Sequence, residues 1–314
     1  MGLDAIGTQF VLYARSLGVD FTGTATIGRQ RFYVTSRELG ASLTKFGFEC
    51  SDSSADAILK RDEGYADGLF RMLGAEEIHS FDHSGYEGAT HIHDLNEPLP
   101  QHLKRQYSVV VDGGSLEHVF DFPTAIRNCM EMIRVGGHYL GIAPANNFMG
   151  HGFYQFSPEL LCSVFAGSNG FELTHLVAAE VRARPRWYLV NNPLLSGGRV
   201  TLTNSTPVYL LTIARRIADV EPLSHPPQQS DFAAAWRRHA TQTDERDTRT
   251  GASGNTGAFM SMARRHTPSV MKRLVRSIVE RVRQARVRLR ARRYSGFDPE
   301  FFQPFDPVAS ARKR

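Results

Sequence analysis

Along residues 4–215 the apolar positions recur at two spacings, with short β-branched runs alternating with stretches of helical periodicity. Residues 4–18 place Phe10, Leu12, Tyr13 and Leu17 on the apolar part of a short helix. Residues 21–27 are a β-branched run closing at Gly28-Arg29-Gln30, which predicts a first buried strand. Leu39, Leu43 and Phe46 then recur at helical spacing and predict a helix over 36–46. Residues 49–63 are polar and are expected to be irregular or weakly helical. A helix is expected over 65–73, with Leu69, Phe70 and Leu73 inward and Gly74 as its stop.

Three strands follow. Residues 77–81 end on Asp82, residues 90–93 end on Asp94, and the valine run of 107–111 closes on Asp112-Gly113-Gly114. A helix is expected over 122–135, with Ile126, Met130 and Ile133 on one face and Gly136-Gly137 ending it. A fifth strand, 138–143, runs to Pro144. Ser157 then caps a helix over 158–166 with Glu159 in its first turn. Residues 171–181 and 208–214 predict two more strands joined by a long connection, 182–207. Strands alternating with helices argue for a parallel sheet with right-handed crossovers.

After Arg216 the pattern changes. Residues 222–230 are rich in Pro and Gln and predict a linker, with a short helix over 231–240. Residues 241–258 hold almost nothing apolar and are expected to be disordered. From 268 to 293, Val270, Leu274, Ile278, Val282, Ala285 and Leu289 recur three or four apart, with arginines on the other faces. Residues 297–307 interleave Phe, Asp and Pro and are expected to be irregular. The expected organisation is an α/β domain over 1–216, a linker with a short helix and a disordered segment over 217–258, and a basic amphipathic helix with an irregular tail over 259–314.

Composition narrows the class. At 41% hydrophobic and 22% charged, the chain is ordinary for a globular protein. No apolar run reaches the roughly 18 residues that span a bilayer, and the early acid Asp4 argues against a cleaved leader. Cys50, Cys129 and Cys162 are too scattered for a disulfide framework or a metal pattern, so free thiols are expected. His91 and His93 flank Ile92 on one side of a strand, but no further Cys or His completes a ligand set there, so no metal is expected. The net charge of +5 is uneven: residues 264–293 hold twelve Lys or Arg against one acid, Glu280. Attraction to phosphates or anionic lipid therefore belongs to the tail.

In an open parallel sheet ligands bind beyond the carboxyl ends of the strands. Asp82, Asp94 and Asp112-Gly113 occupy those ends in order. A carboxylate after the second strand can accept from both ribose hydroxyls of an adenosine, and the next can accept from an adenine amino group. Glycines after the fourth strand let a ligand approach the backbone. Asp and Gly also favour turns after strands in any protein.

The segment Tyr107-Ser-Val-Val-Val-Asp112-Gly113-Gly114-Ser-Leu-Glu117-His118-Val-Phe-Asp121 resembles the fourth strand and following loop of class I S-adenosylmethionine-dependent methyltransferases of the quinone- and small-molecule-modifying kind. In that group a Leu-Glu-His-Val run is followed by an acid and a proline, here Asp121 and Pro123. A helix then leads to a Gly-Gly turn and a strand ending in proline, here Arg134-Val-Gly-Gly-His-Tyr-Leu-Gly-Ile-Ala-Pro144. The resemblance spans about residues 21–215, and its specific part is 107–147. It implies a seven-stranded, mostly parallel Rossmann-like methyltransferase sheet with helices on both faces, to which the C-terminal basic helical extension is added. It implies S-adenosyl-L-methionine as cofactor, with Asp82 on the ribose, Asp94 and Leu95 on the adenine side, and Gly28, Asp112 and Gly113 on the methionine side. The first loop departs from the family, which carries an acid and two or three glycines there. Thr24-Ala-Thr-Ile-Gly28-Arg29-Gln30 has one glycine and no acid. Asp82 lies 54 residues beyond Gly28, where about 20 is usual, so an insertion of roughly 30 residues is expected.

The loop after the fifth strand, Asn146-Asn147-Phe-Met-Gly-His151-Gly-Phe-Tyr154-Gln155, gathers polar groups above the expected pocket. Asn147, Tyr154 and Gln155 are candidates for binding the acceptor, and His118 and His151 for a general base. The same loop also reads as well-packed structure with His151 bonded to backbone. Two functions stay open. One is methyl transfer to a small-molecule or glycan-precursor acceptor by a cytoplasmic protein peripheral to the membrane. The other is a non-catalytic methyltransferase-like scaffold or binding module that has lost the cofactor loop. The tail helix either packs on the domain or meets an anionic membrane surface through 264–293. Nucleic acid fits it less well, because 264–293 lacks aromatics for base stacking.

Overall fold

The computed structural model describes residues 2–196, 199–232 and 296–313. The chain opens with β1 (Gly2–Leu3) and enters α1 (Ala5–Ser16), capped by Asp4, whose carboxylate accepts the Gly7 N–H at 2.8 Å. β2 (Gly23–Ile27) is followed at once by β3 (Arg31–Phe32), which pairs in parallel with β1 as a separate two-stranded sheet. The expected insertion is helical: α2 (Ser36–Lys45), α3 (Asp52–Arg61) and α4 (Asp67–Met72). A reciprocal Thr35–Glu38 capping box starts α2. The polar stretch expected to be irregular or weakly helical forms α3, because Ser51 caps it and Ala55 is fully buried against the core.

β4 (Glu77–Asp82), β5 (His91–Ile92) and β6 (Tyr107–Asp112) come next. They are followed by α5 (Phe122–Met132), β7 (Ile133–Asn146), α6 (Pro158–Val164), β8 (Phe171–Glu180) and β9 (Trp187–Val190). The last elements are α7 (Pro193–Ser196), β10 (Val208–Arg216), β11 (Phe302–Phe305) and α8 (Pro307–Ala311).

The main sheet has the order β11-β9-β8-β10-β7-β6-β2-β4-β5. Its β5-β4-β2-β6-β7 half is parallel throughout, and β10 lies antiparallel between β7 and β8. The order therefore reverses between β2 and β6, as in doubly wound α/β folds. The sheet has nine strands, not the seven expected. The connection 182–207 carries β9, and 297–307 carries β11 where irregular chain was expected. Trp187, Val190 and Phe302 are buried, so apolar burial outweighs the strand-breaking prolines. Pro304 is tolerated because β11 is an edge strand.

A second correction concerns Gly136-Gly137, which do not end the helix. α5 ends at Met132, and the two glycines lie inside β7, at the register shift where β7 first meets β6. A side chain on Gly137 would come within 2.7 Å of the Ser108 carbonyl oxygen, so the backbones are too close for any other residue.

Strand residues alternate between two cores. Val109, Val111, Leu140 and Ile142 pack with α1 and the insertion helices in one cluster. On the other face Tyr139 stacks on Phe165 at 4.7 Å between ring centroids, and Phe165 meets Phe171 edge-on.

The chain divides into two compact units. The first holds residues 1–196, 205–227 and 299–314 and contains the whole nine-stranded sheet. The second holds 197–204 and 228–298; among its described residues Leu202 bridges Phe297 and Arg199 pairs with Asp231 at 2.6 Å. The expected helix over 231–240, the stretch 241–258 and the basic helix of 264–293 fall outside the described residues, except for 231 and 232. No helix among the described residues is long and apolar enough to cross a membrane.

Candidate ligand site at the strand ends

Ile27 and Asp112, the last residues of β2 and β6, are register partners at the point where strand order reverses. Asp112 is 1% exposed. Its carboxylate accepts the Ser115 N–H at 2.8 Å and the Tyr139 hydroxyl at 3.1 Å. Ser115 Oγ in turn donates to the Ile27 carbonyl. Gly28, at φ +67°, donates its N–H to the Phe81 carbonyl at 2.7 Å and ties the end of β2 to β4.

Gln30 folds back over this junction. Its Nε2 donates to the carbonyls of Ile27 at 2.7 Å and Gly28 at 3.1 Å. The carboxamide lies against Gly113 so closely that a Cβ there would overlap it. Gln30 is 1% exposed, and its Oε1 is buried with no donor among the described residues. The backbone of Gly2 closes the same place, donating to the Gly113 carbonyl at 3.1 Å. Arg29 reaches across the insertion: Nη2 pairs with Asp67 at 2.7 Å, Nη1 donates to the Glu87 carbonyl at 3.4 Å, and the guanidinium sits 4.1 Å over the Tyr65 ring.

The adenosine-side acids are placed differently. Asp82 is half-buried, and its carboxylate accepts from Ser84, N–H at 3.0 Å and Oγ at 3.4 Å. Asp94 accepts the Asn96 N–H and Nδ2, which hold its carboxyl below the usual range. Leu95 is buried, and its carbonyl accepts from Asn128.

Above the loop after β6 stands a cluster formed by Glu117, His118 and His151. Glu117 is 1% exposed, with Oε1 at 3.2 Å from His151 Nε2 and 3.9 Å from His118 Nε2. The imidazoles meet edge-to-face at 4.9 Å. The loop lies flat on Glu117 because Phe153 donates to its carbonyl at 2.7 Å and Gly152 leaves no room for a side chain there. Burial, then the neighbouring Asp112 charge, pushes Glu117 up to about 8. Burial pushes Asp112 up to about 6, against its hydrogen bonds. Burial and His151 lower His118.

The sequence candidates thus fall into three places. Gly28, Asp112 and Gly113 gather at the β2–β6 junction, with Asp82, Asp94 and Leu95 along the ends of β4 and β5. His118 and His151 converge on Glu117. The acceptor candidates brace their own loop: Gln155 Oε1 accepts the Phe148 N–H, Tyr154 donates to the Phe120 carbonyl at 2.6 Å, and Asn147 Nδ2 donates to the Thr206 carbonyl. Glu117, Ser115 and Tyr139 were not singled out as site residues, whereas Gln30 was expected either to be remodelled around the cofactor or to fill its cleft. Glu117 sat inside the Leu-Glu-His-Val motif, and Gln30 stood in a first loop with a single glycine, so both carried a signal.

Tested against the cofactor that the resemblance implies, the site divides. The adenosine half fits, since Asp82 and Asp94 present carboxylates at adjacent strand ends. The methionine half does not fit in this side-chain arrangement, because Gln30 fills the space over Gly113.

No known family profile and no curated protein matches the sequence. Solved structures do resemble it. A 1,6-didemethyltoxoflavin-N1-methyltransferase from Burkholderia thailandensis, bound to 1,6-didemethyltoxoflavin and S-adenosylhomocysteine, is 13% identical with a TM-score of 0.36 over 68% of this chain and 79% of its own. A SAM-dependent methyltransferase from Thermotoga maritima is 13% identical at 0.28 over 67% and 91%. The branched-chain polyamine synthase from Thermus thermophilus, in complex with N4-aminopropylspermidine and 5'-methylthioadenosine, is 12% identical at 0.33 over 72% and 61%. Superpositions this loose assign no activity.

Proposed function

We propose that this chain is an S-adenosylmethionine-dependent methyltransferase acting on a small-molecule or glycan-precursor acceptor. The observation that carries the reading is the pair Asp82 and Asp94, two carboxylates at neighbouring strand ends on the side of the sheet next to the reversal of strand order. Asp82 keeps one oxygen for a ligand, and the second Asp94 oxygen has only the exposed His83 imidazole beside it, at 3.7 Å. The Leu-Glu-His-Val segment supports it from sequence. Methyl transfer needs chiefly alignment of nucleophile, methyl and sulfur, so it makes modest demands on side chains beyond binding. Calorimetric titration with S-adenosylmethionine and S-adenosylhomocysteine tests it. Saturable binding that Asp82→Ala weakens is the expected result, and no binding at millimolar ligand overturns it.

A second reading, a methyltransferase-like domain that no longer transfers a methyl group, is favoured by Gln30. Entry of the methionine arm requires the carboxamide to leave two hydrogen bonds, at about 1 kcal/mol each. Under this reading the wild type binds adenosine but not S-adenosylhomocysteine.

A further inference from the structure

We propose that Glu117, His118 and His151 bind one divalent transition-metal ion. The three ligand atoms lie within 4.8 Å of one another. Around a tetrahedral zinc with ligands at about 2.0–2.1 Å, neighbouring ligand atoms stand about 3.3–3.4 Å apart. The distances from Glu117 Oε1 to the two imidazole nitrogens, 3.2 and 3.9 Å, bracket that spacing. A shared proton accounts for the shorter contact alone. It leaves the second imidazole beyond hydrogen-bond reach. A cation accounts for both contacts together.

The donor set also speaks to the kind of ion. Two imidazoles and one carboxylate suit zinc or a first-row transition metal, whereas magnesium and calcium take oxygen ligands. The ligands are held from different directions. Glu117 and His118 follow β6, while His151 comes from the loop after β7, whose backbone is tied to Phe148 and, two residues on, to Glu117. Both imidazoles are about half exposed, at 46% and 50%, so the ion keeps positions open to solvent or a ligand hydroxyl. A hydroxyl bound there would lose its proton more readily. The sequence showed no such pattern because His151 stands 33 residues from His118.

The test uses the full chain, stripped with chelator and free of any nucleoside, so that it stands or falls apart from the cofactor reading. Calorimetric titration with Zn2+ is expected to show one tight equivalent. His118→Ala and His151→Ala, both at half-exposed positions, are expected to keep the wild-type circular dichroism and each to weaken binding at least tenfold, roughly what losing only a ligand's hydrogen-bond partner costs. Co2+ in the wild type is expected to give the intense visible bands of four- or five-coordination, and His151→Ala to lose them. Absence of saturable Zn2+ binding up to millimolar overturns the assignment. So does Zn2+ binding that both variants retain at full strength, which would place the metal on other histidines, and so does a faint, octahedral Co2+ spectrum.

Discussion

The side-chain carboxamide of Gln30 rests directly on the α-carbon of Gly113, the first residue beyond β6. Gly113 does not have a positive φ, so its backbone would accept alanine, and the obstacle is steric. Gly113→Ala is expected to lose about 2 kcal/mol of stability, the usual scale for overpacking. In a Gln30→Gly background the same substitution is expected to cost almost nothing. Urea denaturation of the four proteins in this cycle measures the coupling; an undiminished cost in the double variant would mean that the two residues do not oppose each other.

Removing the carboxamide also opens the methionine half of the cleft. Gln30→Gly is expected to bind S-adenosylhomocysteine at least about tenfold more tightly than the wild type, since binding no longer displaces two hydrogen bonds. Weaker binding by the variant would make Gln30 a ligand for the cofactor.

Asp82 faces solvent and a serine turn, so its value lies in ligand binding. Asp82→Ala is expected to lower adenosine affinity about tenfold, the scale of one charge-assisted hydrogen bond. The melting temperature should move by no more than a few degrees. Equal adenosine titrations for the two proteins would remove Asp82 from the site.

Asp112 makes stability depend on pH. Its folded-state value is raised from 3.8 to about 6 by burial, so the ionised form is disfavoured in the folded chain. Its contribution is fully present at low pH and is lost as pH rises through about 6, by at most about 3 kcal/mol. The wild type should therefore lose stability relative to Asp112→Asn between about pH 4 and pH 6, and the gap should then stay level for this residue. Glu117, raised to about 8 in part by Asp112, extends the decline upward. Denaturation at pH 4, 5, 6 and 7 in chelator checks the sign; a wild-type stability that rises relative to Asp112→Asn as pH rises contradicts it.

Much of the fold was legible because apolar periodicity reports burial. The valine run at 107–111, the capping residue Ser157, and the acids closing β4 and β6 all sit where the pattern placed them. The errors share one cause. β9 and β11 are weak local signals that form because distant apolar surface covers them, and Gly136-Gly137 looked like a helix stop because the strand's register shift, set by pairing with β6, uses the same residue. The site was half legible. Acids at strand ends are fixed by the strand pattern, whereas Gln30 meeting Gly113, or His151 meeting Glu117, spans dozens of residues.

The sequence by itself determined the alternation of strands and helices, the order of Asp82, Asp94 and Asp112, and the single glycine of the first loop. Those are local properties, set by side-chain period and backbone preference. Only the tertiary structure decided what replaced the missing glycines and where the histidines point. Both answers depend on which strand ends become neighbours, and a sheet that reverses its order between β2 and β6 sets those neighbours by long-range pairing.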